Sequence, residues 1–329
     1  MDYKNTVVLV TGGTGSFGNY ITHRLFELGA KEIRILSRDE KKQYDMKNRY
    51  DNDQRLKFYL GDIRDATRVD NVMNGVDIVY QAAALKQVPA CEASPFEAVK
   101  TNIIGIENII QSALKHNVAK VVCVSTDKAV KPVNVMGMTK AIQERLMLSA
   151  NHAPGNRGTK FCVVRYGNVM LSRGSVIPFF RDLLVENKPL TITDEGMTRF
   201  LLTLNDAIDL VMYATEHTNG GETFVKKAPS SLIIDVARIV AELEEKEFKF
   251  SIIGKFPGEK IHEILITEEE LQRTENKGDY FIVHPWWERC IFNDLQAEYS
   301  SGIQVVNDLS VIRNLIVSAD AGAKLVTVD

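Results

Sequence analysis

Cysteine is scarce: Cys91, Cys123, Cys162 and Cys290 are the four in 329 residues. They show no CxxC spacing, which argues against a disulfide framework or a thiolate metal centre. They read as reduced packing residues, and no metal site is expected. Long apolar runs are also missing. Pieces such as Val7-Val8-Leu9-Val10 fall far short of the ~20 residues a spanning helix needs, so no membrane partner is expected. Met1-Asp2-Tyr3-Lys4-Asn5 runs into the first strand-like segment without a charged-then-apolar leader, so the expected location is cytoplasmic. Neither sign of charge dominates, with 40 Lys+Arg against 43 Asp+Glu and a net charge of −3. A pI near 6.1 and the lack of a basic block argue against a nucleic-acid partner. An anionic small molecule would need only a local basic pocket.

What is present is a chain with 45% hydrophobic and 25% charged residues, long enough for about two domains. Short β-branched runs at Thr6–Thr11, Glu32–Leu36, Lys57–Leu60, Asp77–Gln81, Lys120–Ser125 and Phe161–Tyr166 alternate with stretches of helical period. That alternation predicts an α/β fold, a Rossmann-like doubly wound parallel sheet. Ser94-Pro95-Phe96-Glu97 has the form of an N-cap, an N1 proline and a capping-box glutamate. The helix it opens should bury Val99, Ile103, Ile106, Ile110 and Leu114. A second helix is expected from about Val135 to Ala150. After Tyr166 the pattern becomes irregular, and we expect a smaller substrate-binding subdomain, placing the division at 1–167 and 168–329 with the two parts interwoven. Glu242-Leu243-Glu244-Glu245-Lys246-Glu247 reads as a solvated helix face, and Thr267-Glu268-Glu269-Glu270 as a capping box.

The first chemical signal is Thr11-Gly12-Gly13-Thr14-Gly15-Ser16-Phe17-Gly18, which follows a strand and opens a helix. Missing side chains let the backbone turn, approach a pyrophosphate and pack helix on strand, while the helix N-terminus favours the phosphate charge. Thr11, Gly12, Thr14, Gly15, Ser16, Phe17 and Gly18 are therefore candidate dinucleotide-binding residues. About twenty residues on, Ser37-Arg38 suits a 2′-phosphate, so NADP is expected, with Asp39 keeping NAD as the alternative. Asp62, beside Ile63, offers a carboxylate to an adenine amine. Ala82-Ala83-Ala84 forms a small-residue track for the cofactor.

With these motifs the chain resembles the extended short-chain dehydrogenases/reductases, and Asn102 matches that family's helix asparagine. Ala83-Ala84-Leu85-Lys86-Gln87-Val88-Pro89, Ser125-Thr126-Asp127-Lys128-Ala129 and Met197-Thr198-Arg199-Phe200 resemble its polysaccharide-biosynthesis branch over roughly residues 5 to 285. The resemblance implies a UDP-N-acetylglucosamine 4,6-dehydratase that inverts C5, with C3 epimerisation as a further step, serving capsule or O-antigen synthesis. It also implies a homo-oligomer, often a hexamer. A nucleotide-sugar 4-epimerase using the same initial oxidation is the alternative, and a non-catalytic NADP-binding sensor a third reading. Beyond Trp287 the chain departs from the expected pattern, although Glu298-Tyr299-Ser300-Ser301 resembles a family tail motif.

The family's tyrosine falls on Met136 in Met136-Gly137-Met138-Thr139-Lys140. A thioether has no proton to exchange, so proton chemistry must come from elsewhere. Lys140 remains to bind the nicotinamide ribose. Thr126, Asp127 and Lys128 gather at the carboxyl end of strand five, where the crevice of such a sheet lies. Lys128 is expected to be the base at C5, its pKa lowered by burial and by Lys140 and the nicotinamide, with Asp127 as the acid at C6. Thr126 or Ser125 with Lys140, or Lys128 through a water, are candidates at C4, and Lys86 is a further cation for cofactor or sugar. On the sugar-nucleotide side the resemblance points to Asn168, Ser175, Val176 and Glu259. Arg199 is expected to hold the diphosphate, away from the reacting carbons. His262 reads as structural.

Overall fold

The computed structural model describes residues 2–172 and 174–326, with side chains through residue 322. Six parallel strands form the core of the main sheet: β1 (Val7–Thr11), β2 (Glu32–Ser37), β3 (Leu56–Leu60), β4 (Ile78–Gln81), β5 (Lys120–Val124) and β6 (Lys160–Arg165). They lie in the order β6-β5-β4-β1-β2-β3. Thr223–Lys226 adds parallel to β6, and the antiparallel strands Tyr280–Val283 and Thr274–Lys277 extend that edge. The expected doubly wound sheet is present. It takes three strands from beyond residue 167.

Both faces of the sheet are covered, which explains why its strands are apolar at nearly every position. Val8, Val10, Ile33, Ile35 and Tyr80 pack on one face with Phe224. Leu9, Val79, Val121 and Phe161 pack on the other with Ile106 and Ile110. A separate core of Ile177, Phe180, Leu184, Val236, Val240, Ile312 and Ile316 joins the helices Val176–Val185, Ile233–Leu243 and Leu309–Val326. Among the described residues no helix is long and apolar enough to cross a membrane.

Two local expectations need correction. Ser94 is at the N-cap of Pro95–Val99, but its side chain makes no cap. Glu97 turns instead to Lys100 at 2.8 Å and Arg64 at 2.7 Å, so no capping box forms. A π-helical turn, Lys100–Ile104, then precedes the helix Gly105–Lys115. Its added residue per turn rotates the helix, so Ile109 and Ala113 join Ile106 and Ile110 inside while Ile103 and Leu114 are only half-buried. The acidic run at 242–247 is mainly exposed, as expected, but the helix ends at Leu243 and most of the run lies past it. Thr267 and Glu270 do form a reciprocal capping box.

Candidate functional site

The strand order reverses between β1 and β4, which opens a crevice beyond their carboxyl ends. Their register sets Thr11 beside Gln81. The Thr11 hydroxyl donates to the Gln81 side chain and accepts from the amides of Ala82 and Ala83, each at 3.2 Å. Thr11 thus ties the two loops together rather than facing a ligand.

Gly12 has φ +65°, and a Cβ there would lie 2.9 Å from the Ala83 amide. At Gly18 a Cβ would lie 2.3 Å from the Gly13 carbonyl, so only glycine lets helix α1 (Ser16–Glu27) pack on the loop. Gly15, at the N-cap, supplies no side chain to the first-turn amides. Those amides and the glycine cradle fit a dinucleotide pyrophosphate. Thr14 and Ser16 flank it half-buried, while Phe17 packs on the core.

At the β2 tip the Ser37 hydroxyl is buried and accepts from Gln43 at 3.2 Å. Arg38 is more than half exposed, 3.5 Å from Asp62. Asp39 caps the following helix, accepting from the Lys42 amide at 3.0 Å, and pairs with the Lys42 ammonium at 3.2 Å. Asp62 is held mainly by Arg64, at 2.7 Å. Burial opposes its charge, but Arg64 and Arg38 hold the carboxyl below its ordinary range. The Ile63 side chain belongs to the core. Asn102 differs from expectation. It spans Leu85, accepting from its amide at 2.8 Å and donating to its carbonyl at 3.0 Å, and also donates to Thr139 at 3.0 Å. It therefore positions the Ala82–Lys86 loop, in which Lys86 is exposed.

Beyond β5, Thr126 caps a short 3-10 turn, Asp127–Ala129. Asp127 is fully buried, and its Oδ1 accepts from the Thr126 hydroxyl and the Lys128 ammonium, both at 2.9 Å. Lys128 Nζ also lies 3.5 Å from Glu263 and 3.5 Å from the Asn168 amide oxygen. Burial disfavours the Lys128 ammonium, but Asp127 and Glu263 outweigh it, and its pKa is raised rather than lowered. Lysines whose pKa falls nearby are Lys140, through burial that Cys123 and Glu144 only partly offset, and Lys260, through burial that Glu263 and Asp127 only partly offset. Lys140 donates to the Val124 carbonyl at 2.7 Å and to Gln143 at 3.0 Å.

Met136 is buried with Cys91 and Ala98, against Leu85, Val88 and Val135. It is a packing residue, not a member of the reacting cluster. Arg199 also departs from expectation: it is buried, donates to the carbonyls of Thr198 at 2.7 Å and Ile261 at 3.1 Å, and sits 4.0 Å from Glu263. One carboxylate therefore separates it from Lys128, so it does not lie apart from the Asp127–Lys128 cluster. Asn168 enters through a short strand paired with Thr198–Leu202. Ser175 and Val176 open the helix Val176–Val185, with the Ser175 hydroxyl buried and without a hydrogen bond. Glu259 accepts from the Phe256 amide at 3.1 Å, within its own loop. His262 binds Thr198 at 2.8 Å, a structural contact.

Glu263 and Lys260 were missed in the sequence, as was the way the tail completes this wall. Tyr299 stacks on Phe200, and the Ser301 hydroxyl lies 2.7 Å from the Thr198 hydroxyl and accepts from the Glu263 amide at 2.9 Å. The available signal was a glutamate opening the apolar run Ile264-Leu265-Ile266, since a charge there must be buried and paired.

The sheet, glycine cradle and crevice define an extended short-chain dehydrogenase/reductase, and the comparisons place it among enzymes of the nucleotide-sugar dehydratase and epimerase kind. Residues 8–285 match the family model described as polysaccharide biosynthesis protein, and the chain belongs to that family. It is 48% identical over 283 residues to a UDP-glucose 4-epimerase of Rickettsia canadensis, covering 85% of this chain and 83% of that one. A counterpart of Rickettsia bellii, with the same name and coverage, is 47% identical. Among solved structures, Pen from Bacillus thuringiensis superposes with a TM-score of 0.91 at 38% identity, covering 97% of this chain and 98% of that one. DesIV, a dTDP-glucose 4,6-dehydratase from Streptomyces venezuelae solved with NAD and TYD, shares the fold at 21% identity and a TM-score of 0.71, covering 78% and 87%.

Proposed function

We propose that the chain is a C5-inverting 4,6-dehydratase acting on UDP-N-acetylglucosamine, with NADP as its cofactor. The observation that carries this reading is the Asp127–Lys128 pair, joined at 2.9 Å behind the crevice, with Met136 unable to exchange a proton. NADP, held by the glycine cradle and Arg38, would supply the hydride acceptor for C4 and the hydride donor for C6. The exposed Arg38, together with the use of Asp39 as a helix cap, supports NADP over NAD.

In the open crevice the pair is ionised. A sugar that displaces water favours transfer of one proton from Lys128 to Asp127, which leaves a neutral amine beside a carboxylic acid. As the C4 hydride departs, the C4 hydroxyl proton leaves by way of the Thr126 hydroxyl to solvent, which later restores a proton to Lys128, and the resulting ketone acidifies the C5–H bond. The Lys128 amine takes that proton, the C5–C6 double bond forms, and the C6–O bond breaks as Asp127 protonates the departing hydroxyl to water. The pair is then ionised again, and C5 is inverted when it receives its new proton on the opposite face, from a Lys128 ammonium that has moved or exchanged its proton. The same ketone acidifies C3, which is the basis for the further C3 epimerisation.

A second reading, a UDP-sugar 4-epimerase, is favoured by the names of the Rickettsia relatives, which support it better than they support dehydration. The test is incubation with UDP-N-acetylglucosamine and NMR of the product in deuterated water. Dehydration converts C6 to a methyl group and brings deuterium to C5. A C4 epimer with C6 and C5 intact would instead establish the second reading.

A further inference from the structure

Glu263 is 2% exposed, yet three cations surround its carboxylate: Lys128 at 3.5 Å, Lys260 at 3.5 Å and Arg199 at 4.0 Å. Among the described residues its Oε2 has no hydrogen-bond partner, and neither has Asp127 Oδ2. A buried carboxylate with an unmet acceptor is costly, and such atoms call for an explanation. The cluster holds two carboxylates against Lys128, Lys260 and Arg199. The Lys260 ammonium donates to the Val130 carbonyl at 2.5 Å, which brings it up against the 3-10 turn that carries Lys128.

We propose that Glu263 is a positioning residue which fixes the place and charge of the Asp127–Lys128 pair, with Lys260 as its counterweight. The inference rests on the proton roles given above to Asp127 and Lys128. Lys128 is faced by Asp127 on its own turn, by Glu263 and Lys260 from the segment entering Ile264–Ile266, by Arg199 from Thr198–Leu202, and by the neutral Asn168. Lys140, on the helix packed beneath the turn, bonds to Val124 and Gln143 instead. The carboxylate of Glu263 favours the proton on Lys128, and the ammonium of Lys260 disfavours it. Each therefore shifts the balance between the ionised and neutral forms of the pair without touching the sugar.

The test titrates the full chain, labelled with 13C at lysine Cε, with the Lys128 resonance identified by its loss in Lys128→Arg. In Glu263→Gln the Lys128 resonance should titrate at lower pH than in the wild type. In Lys260→Gln it should titrate at higher pH, and in Glu263→Asp close to the wild type. With UDP-N-acetylglucosamine and NADP, the alkaline limb of C5 deuterium incorporation should move to lower pH in Glu263→Gln, with kcat falling more than KM rises. An unmoved Lys128 titration in both Gln variants overturns the proposal. Should Glu263→Gln fail to fold, the upward movement in Lys260→Gln decides alone. If the wild type instead makes a C4 epimer without C5 exchange, the dehydratase reading fails, while the lysine titration still reports whether Glu263 sets the charge of Lys128.

Discussion

Arg165 closes β6 and Lys128 lies just beyond β5, but the charge clusters around them are built to different ends. Arg165 donates to Glu144 at 2.7 Å, to both oxygens of Glu270 at 2.9 Å and to the Leu265 carbonyl at 3.2 Å. Glu270 also accepts from the Thr267 amide at 3.0 Å. That cluster meets its polar needs from within the protein. Around Lys128, Asp127 Oδ2 and Glu263 Oε2 are left without hydrogen bonds among the described residues, beyond the carboxyl end of β5. Burial alone therefore does not mark a functional charge. Burial with unmet hydrogen-bonding capacity does, since the protein bears a cost there that folding does not require.

The largest effect expected is at Lys128. Lys128→Ala should lower turnover on the order of 10²–10⁴-fold or more and stop deuterium entering C5, with cofactor binding intact. Product NMR and cofactor titration measure the two. A variant that still exchanges C5 at a near-normal rate would break the comparison by removing Lys128 from the chemistry.

The next effect belongs to the satisfied cluster and appears in stability. Removing one partner of a buried pair leaves the other charge uncompensated, so Arg165→Ala should cost about 3–5 kcal/mol in denaturant unfolding. The two clusters should also fail at opposite ends of the pH scale. Burial opposes the Glu270 charge, but Arg165 holds its carboxyl below the ordinary value. Its contribution is thus present above the unfolded-state value and lost as pH falls through the lowered folded value. Lys128, with a raised folded value, contributes below its ordinary value and loses that contribution as pH rises through the folded value. Stability curves of Glu270→Gln and Lys128→Ala should therefore flatten on the acid and alkaline sides respectively.

A third cation, Arg38, sharpens the comparison because it is exposed and lies 3.5 Å from Asp62. Losing a charge-assisted phosphate contact should cost about 1.5–3 kcal/mol, so Arg38→Ala should weaken NADP far more than NAD, with stability little changed. Equal loss of both cofactors in binding titrations would remove Arg38 from the choice between them.

The six parallel strands at the centre of the main sheet were legible as short, mainly apolar runs and the glycine loop admits few other structures, whereas Thr223–Lys226, Thr274–Lys277 and Tyr280–Val283 were not read, Thr274–Lys277 being polar throughout. Thr126, Asp127 and Lys128 were legible as a group because they are contiguous. Their charge states were not. Glu263 and Arg199 reach Lys128 from segments far along the chain, and it is these, with Asp127, that decide the lysine's protonation. Asn102 was found through the family resemblance, but its partners Leu85 and Thr139 appear only once the π turn is folded. Ser94 offered a cap by residue type, but Glu97 found stronger partners in Arg64 and Lys100.

The smallest effect is expected of a volume-conserving change at Met136, where the resemblance places a catalytic group and the structure places packing. Its side chain is 4% exposed and lies among Cys91, Ala98, Leu85 and Val88, all apolar. Met136→Leu keeps the volume and removes only the sulfur, and such exchanges usually cost under ~1.5 kcal/mol. Most of the activity and an unshifted pH profile should remain. Met136→Ala should lower stability by about 2–5 kcal/mol through the cavity it leaves, again without moving the pH profile. A pH–rate limb displaced by either change would show that position 136 still communicates with Lys128.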